Sequence, residues 1–240
     1  VGERRYHHLH PFHRRMNAGE LSREEIRRWV ANRYYYQRMI PMKDAAILSN
    51  CPDRDVRRVW IHRVIDHDGR EGDEGGMAKW LRLGEGCGMD RGTIERGEEL
   101  LPGVRFAVDA YVNFARSEPW PVAIASSLTE LFAPDLMAER LAAFRRYYPW
   151  VADWAFDYFQ TRVTQARVDA DEGLEFTLRF CESVDLQGAA VEALKFKCDV
   201  LWSILDAISG EGSHAQARWR EDEDEGEDSH AETQRRGGLR

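Results

Sequence analysis

Apolar residues recur every three to four positions along most of the chain, and no stretch alternates strictly between apolar and polar side chains. A step of about 100° per residue is the pattern of an amphipathic helix, whereas a half-buried strand needs a period of two. The pattern predicts helices over residues 21–46, 54–68, 77–84, 90–100, 104–117, 122–132, 135–147, 150–165, 168–182 and 185–208. Local chemistry agrees with it. Ser22 and Glu25 have the spacing of a capping box at the start of the first long helix, and Pro41 should kink that helix near its end. Asn50, Pro52 and Asp53 start the next one. The acidic, glycine-rich stretch 69–76 is a loop, and Pro102, Pro121, Pro134 and Pro149 stand where further helices begin. The expected fold is all-α, an antiparallel bundle with its site between facing helices.

Four of these helices turn a cation into their own apolar face. On 185–208, Lys197 is surrounded by Ala190, Ala193, Leu194, Val200, Leu201, Ile204 and Ile208. On 21–46, Arg33 and Gln37 fall inside the arc of Ile26, Trp29, Val30, Tyr36 and Ile40. Arg63 and His67 share the face of Val56, Trp60 and Val64, while Tyr158 and Arg162 continue the face of Val151, Trp154 and Ala155. An unpaired charge in a core costs on the order of several kcal/mol, so each cation must be neutralised, paired with an acid or held for an anion. One such residue reads as a core ion pair or a snorkelling side chain. Four together, with Asp44 and Glu130 as the evident internal acids, point to a closed pocket for a small polycarboxylate.

Composition narrows the setting. The 240 residues are 43% hydrophobic, enough for one sizeable core, and no linker divides them. No apolar run approaches the roughly 18 residues of a membrane span and no signal-peptide core is present, so a cytoplasmic protein with no membrane partner is expected. Cys51, Cys87, Cys181 and Cys198 form no paired motif and read as reduced thiols. A net charge of −8 argues against a nucleic-acid partner and makes inward-facing cations more telling. Much of the negative charge lies in a block at 221–228, and the surrounding stretch has too few apolar residues to offset its ordering entropy. The expected organisation is one helical catalytic domain over 1–209 and an acidic, disordered tail over 210–240, either a solvated end or an interaction tail. The chain opens on Val1 rather than methionine, which leaves an upstream or non-standard start open.

Two motifs invite other readings. The GEGCG stretch at 84–88 follows a helix and lacks the strand–turn–helix context of a dinucleotide site. His7, His8, His10 and His13 could suggest a metal, but a di-metal bundle needs inward glutamates and Glu-x-x-His spacing, and these faces supply Arg, Lys and Tyr. A cationic lining repels a divalent ion, and Asp66, His67 and Asp68 would at most hold an adventitious one. No metal is expected. His8 and His13 read as part of a segment packed over the pocket.

With WVANRYYYQ at 29–37, IPMKDAA at 40–46, DHDG at 66–69, LPGVRFAVDAY at 101–111, SLTELFAP at 127–134 and YPW at 148–150, the chain resembles the pyrroloquinoline-quinone (PQQ) synthase family over roughly residues 6–208. That resemblance implies a compact seven-helix bundle of the heme-oxygenase-like, TenA-like type, and a homodimer. It implies ring closure and an eight-electron oxidation of a tricarboxylated quinone precursor to PQQ. Dioxygen (O2) is the co-substrate, hydrogen peroxide is released, and neither a metal nor a redox cofactor takes part. It further implies substrate or product contacts from Tyr6, Arg33, Gln37, Lys43, Arg63, Tyr111, Thr129, Glu130, Arg140 and Lys197, and catalytic roles for His7, His67, Tyr158 and Arg162. His67 is the candidate proton acceptor, with Tyr158 and Arg162 beside the oxygen site. Arg33, Arg63, Arg162 and Lys197 are also the cations that the helical periodicity marks.

One position departs from the family, which has a histidine where this chain has Met137. A thioether neither donates nor usefully accepts a proton, so the late oxidation steps are expected to be affected there. That departure keeps a non-catalytic PQQ-binding carrier open as an alternative. A di-iron oxygenase on the same bundle is another.

Overall fold

A computed structural model describes residues 1–210 of the chain, and the acidic tail expected beyond them lies outside the described residues. The described part is all-α. Its helices are α1 (Gly2–Arg5), α2 (Pro11–Ala18), α3 (Arg23–Asn50), α4 (Arg54–Asp68), α5 (Gly75–Gly86), α6 (Arg91–Arg96), α7 (Pro102–Ser117), α8 (Trp120–Ala125), α9 (Ala133–Tyr147), α10 (Asp157–Phe180) and α11 (Val184–Ser209). Three 3-10 turns at His7–Leu9, Ser126–Phe132 and Asp153–Phe156 join them, and among the described residues an isolated bridge between Arg70 and Asp73 is the only β pairing. The expected seven helices correspond to the long ones, α3, α4, α5, α7, α9, α10 and α11. The four short helices are extra.

The ends of the helices follow their sequence signals. Ser22 Oγ accepts from the Glu25 amide at 3.2 Å while the Glu25 carboxylate accepts from the Ser22 amide at 2.7 Å, which closes the expected capping box. Helix α3 then runs on through Pro41 to Asn50, well past the boundary expected at 46. Asp53 caps α4 and Ser183 caps α11 through their side chains.

Three expectations need correcting. The 122–132 segment is not one helix, because α8 tightens into the 3-10 turn Ser126–Phe132, which carries Thr129 and Glu130. Residues 150–165 and 168–182 are not two helices either, since α10 starts only at Asp157 and continues unbroken to Phe180. Residues 148–152 are not helical, so no helical phase runs through Trp150 and Val151. Trp154, expected to be buried, is 57% exposed for that reason.

The main core gathers Trp29, Trp80, Phe144, Phe156 and Phe159 where α3, α5, α9 and α10 meet, and α7 and α11 close the bundle against α3. All four cysteines are buried and free, as their spacing suggested. The loop between α4 and α5 positions the end of α4 closely. Gly75 has φ +76°, and a Cβ there would lie 2.6 Å from the His67 carbonyl and 2.4 Å from the Gly69 amide nitrogen, so only glycine lets α5 begin against this turn. Among the described residues no helix is long and apolar enough to cross a membrane.

Candidate functional site

Distant parts of the chain converge on one cavity between the helices. The N-terminal segment brings Tyr6 and His7, α3 brings Arg33, Tyr36 and Gln37, α4 brings His67, the 3-10 turn brings Thr129 and Glu130, α9 brings Met137, and α10 brings Tyr158 and Arg162. The other residues expected at the site, Lys43, Arg63, Tyr111, Arg140 and Lys197, do not line this cavity but are buried behind it. Arg63 touches the lining at Glu130, Arg140 at Met137, and Lys197 and Tyr111 at Tyr36, whereas Lys43 stands one step further back, against Asp44 and Ser127.

On one side of the cavity the cations are neutralised. Glu130 accepts from Arg63 Nη1 at 2.6 Å and lies 3.5 Å from Arg162 Nη2, while Arg162 Nη1 donates to Asp169 at 2.9 Å. Arg63 also donates to the Asp169 backbone carbonyl and lies over the Trp60 ring. Burial alone would raise the Glu130 carboxyl, but Arg63, Arg162 and Lys43 hold it at about 2. Asp169 is pushed up by burial and by the Glu130 charge beside it, so Glu130 is the firmly ionised member of the two. Lys43 belongs to the same regime. Its Nζ donates to Asp44 at 2.5 Å and to Ser127 at 3.0 Å, and the Trp60 indole donates to the same Asp44 oxygen at 2.9 Å.

On the other side, no carboxylate among the described residues pairs with the cations. Lys197 is 1% exposed; its Nζ donates to the Tyr36 hydroxyl at 2.6 Å and stands 3.4 Å from the centre of the Tyr111 ring. Burial, together with the Lys43 and Arg33 charges, pulls this ammonium well below its ordinary value. The Arg33 guanidinium carbon stands over the Tyr36 ring, 3.7 Å from its centroid. Arg140, held between the faces of Trp29 and Phe159, meets His13 Nδ1 at 3.2 Å and the Met137 sulfur at 3.8 Å. Burial and the neighbouring Arg33 charge lower Arg140 to about 10. Tyr36 and Tyr111 stack parallel with centroids 6.5 Å apart, with Lys197 reaching both rings.

The proton-handling groups are divided between these halves, His67 beside Arg162 and Glu130 and His7 beside Arg33 and Arg140. His67 Nδ1 is 3.1 Å from the Arg63 carbonyl, which can only accept, so Nδ1 carries the proton and Nε2 keeps a lone pair. Burial and the Arg162 charge lower His67 to about 4, leaving it neutral near pH 7. Tyr158 donates to Gln37 at 3.0 Å and packs edge-on against Trp80. Burial, then the charges around it, keep His7 well below the usual histidine range, and its Nδ1 has no partner. Among the described residues no group of three or more His, Cys, Asp or Glu is arranged to hold a metal ion.

Sequence reasoning misses three participants. Asp169 stands seven residues after Arg162, two turns along the same helical face, but a helix broken between 165 and 168 hides that relation. Tyr36 is visible on the inward arc of α3, where spacing alone makes it packing. His13 reads as packing too, yet it contacts Arg140.

Residues 2–207 match the TENA/THI-4/PQQC family. Among curated proteins, the chain is 56% identical over 204 residues to a pyrroloquinoline-quinone synthase of Ectopseudomonas mendocina, covering 85% of this chain and 82% of that one. It is 52% identical over 204 residues to a pyrroloquinoline-quinone synthase of Cronobacter sakazakii, covering 85% and 81%. Two solved structures share its fold at 14% identity. A domain of unknown function with a heme oxygenase-like fold from Shewanella denitrificans superposes with a TM-score of 0.73, covering 88% of this chain and 89% of that one. A TenA homologue from Pseudomonas syringae gives 0.68, covering 84% and 85%.

Proposed function

This chain belongs to the TENA/THI-4/PQQC family, and from that premise we propose that it acts as a pyrroloquinoline-quinone synthase. It closes the ring of a tricarboxylated quinone precursor and oxidises it to PQQ with dioxygen. The observation that carries this reading is a set of cations with no carboxylate partner among the described residues, the buried Arg140 and Lys197 and the part-buried Arg33, at and behind the cavity wall. Such charges are costly in an empty protein and favourable with a polyanionic ligand in place.

Each half of the site then has its own task. Arg33, Arg140 and Lys197 attract the carboxylates and stabilise the quinol anions that release electrons to oxygen. His67, neutral and with Nε2 unprotonated, takes protons from the ring system as it is oxidised. Arg162, held by Asp169 and Glu130, and Tyr158, held by Gln37, stabilise reduced oxygen beside the ring. No metal or redox cofactor takes part in this scheme. A di-iron centre would need inward carboxylates, and Glu130 and Asp169 are already engaged by arginines. We further read the protein as a cytoplasmic homodimer built on one helical domain over 1–209.

Met137 supports one rival, a carrier that binds PQQ without making it, because a sulfur replaces the family's histidine at the cavity wall. The precursor bound anaerobically and then exposed to oxygen separates the readings. A synthase converts the bound spectrum to that of PQQ, consumes oxygen and releases hydrogen peroxide. A carrier binds PQQ and consumes no oxygen, and activity lost on exhaustive chelation and restored by iron alone would favour a metal oxygenase.

A further inference from the structure

One buried histidine behind the cavity has no task in the scheme above. His13, in α2, is 1% exposed, and its Nδ1 lies 3.2 Å from Nη2 of the buried Arg140. A guanidinium has only donors, so Nδ1 is the acceptor and the single imidazole proton sits on Nε2. Nε2 is 3.4 Å from the side-chain amide of Asn17, and the Asn17 oxygen has no other partner. Turning that amide end for end supplies the matching acceptor, at the expense of a long, exposed contact of 3.4 Å from Asn17 to Glu139. The charged and titratable groups facing His13 are Arg140, His7, His8 and His10, and none of them is an acid; Glu139 lies beyond Asn17.

The treatment of Arg140 differs from that of the other buried arginines. Arg63 and Arg162 are each fixed by a carboxylate, which orients the guanidinium and also cancels its charge. Arg140 is oriented by a neutral ring nitrogen, a thioether and two aromatic faces, and its Nε has no partner. We infer that His13 is a positioning residue that fixes Arg140 with an uncharged acceptor, so that the guanidinium keeps its full charge for a carboxylate of the quinone. The inference rests on the functional reading above and concerns a residue behind the site.

Three variants of the full chain test it: His13→Gln, which keeps a neutral acceptor, His13→Glu, which introduces a carboxylate, and His13→Leu, which removes the acceptor. PQQ affinity by spectral titration and the thermal unfolding midpoint are measured for each. The Gln variant is expected to bind PQQ within about threefold of the parent, and the Glu variant to bind it about tenfold or more weaker, the scale of one charged hydrogen bond, without unfolding at lower temperature. The Leu variant is expected to weaken binding comparably, with Gln as its rescue, so the Leu and Gln pair decides the matter should the His13→Glu protein fail to fold. A merely structural residue would move the midpoint and leave affinity alone. Equal PQQ affinity in the Gln and Leu proteins, or parental affinity in the Glu protein, overturns the inference. A parent chain that binds no PQQ would instead overturn the functional reading.

Discussion

The cations around Glu130 and those around Lys197 sit only a few side chains apart, yet they live under opposite electrostatic conditions. Arg63 and Arg162 are matched by Glu130 and Asp169. Lys197, Arg33 and Arg140 meet a tyrosine hydroxyl, aromatic faces, a histidine and a thioether. Neutralised cations brace a structure, because removing either partner strands the other as a buried charge. Unmatched cations do the reverse, weakening the empty fold while favouring an anionic ligand. Position on an inward helical face therefore does not reveal which task a buried arginine or lysine has, and the presence of a nearby acid does.

The sharpest way to break this comparison is to remove the acid. Glu130→Gln leaves Arg63 and part of Arg162 unneutralised, and should lower the unfolding free energy by about 3–5 kcal/mol in urea. A loss well under about 1 kcal/mol would put the two halves on the same footing. The same contribution should fade with acid. The Glu130 pKa falls from 4.5 to about 2 on folding, so the unfolded chain binds more protons between those values. The stabilisation is complete above pH 4.5 and lost as the pH falls toward 2.

Smaller effects are expected from the unmatched half, and on binding rather than folding. Arg33→Ala should weaken PQQ binding by about 1.5–3 kcal/mol, the range for charged hydrogen bonds, with an unfolding midpoint close to the parent's. Unchanged affinity would make Arg33 a packing residue.

His67, beside the matched cations, supplies a test by pH. Its folded pKa of about 4 lies below the usual 6.5, so the neutral, proton-accepting form persists through the weakly acidic range. The profile of kcat/KM should show no limb near pH 6.5 and should fall only toward pH 4, whereas a limb at 6.5 would remove His67 as the acceptor. The sign for stability is the same. The unfolded chain binds the extra proton between pH 6.5 and 4, so this contribution is present above 6.5 and lost as the pH drops through 4.

The smallest effect concerns the wall position nearest Arg140. With His67 and His7 already at the cavity, Met137→His should speed the oxygen-dependent phases by less than about tenfold, far below the full range of a general acid or base. Stopped-flow spectra of the bound intermediates report it, and unaltered phases would make Met137 packing alone.

The helical class, the capping box at Ser22 and the inward cations on α3, α4, α10 and α11 were legible because each is a matter of spacing along one helix. What was not legible depends on relations between elements or on helix phase. Glu130 lies in a 3-10 turn, where a 100° step misplaces side chains, and its pairing with Arg63 joins residues 67 apart in the chain. Asp169 becomes visible as a partner of Arg162 only once α10 is continuous. Lys197 could be placed in the core from its neighbours, but periodicity along α11 alone could not reveal that it sits behind Tyr36, against the Tyr36 hydroxyl and the Tyr111 ring.

Lys197 is the residue on which the two accounts of a buried cation differ most. Replacing it with methionine keeps much of its volume and removes the unmatched charge. The account predicts that Lys197→Met binds PQQ about tenfold or more weaker while its thermal unfolding midpoint is unchanged or higher. A lower midpoint with parental affinity would contradict it, and would place Lys197 with the bracing cations around Glu130.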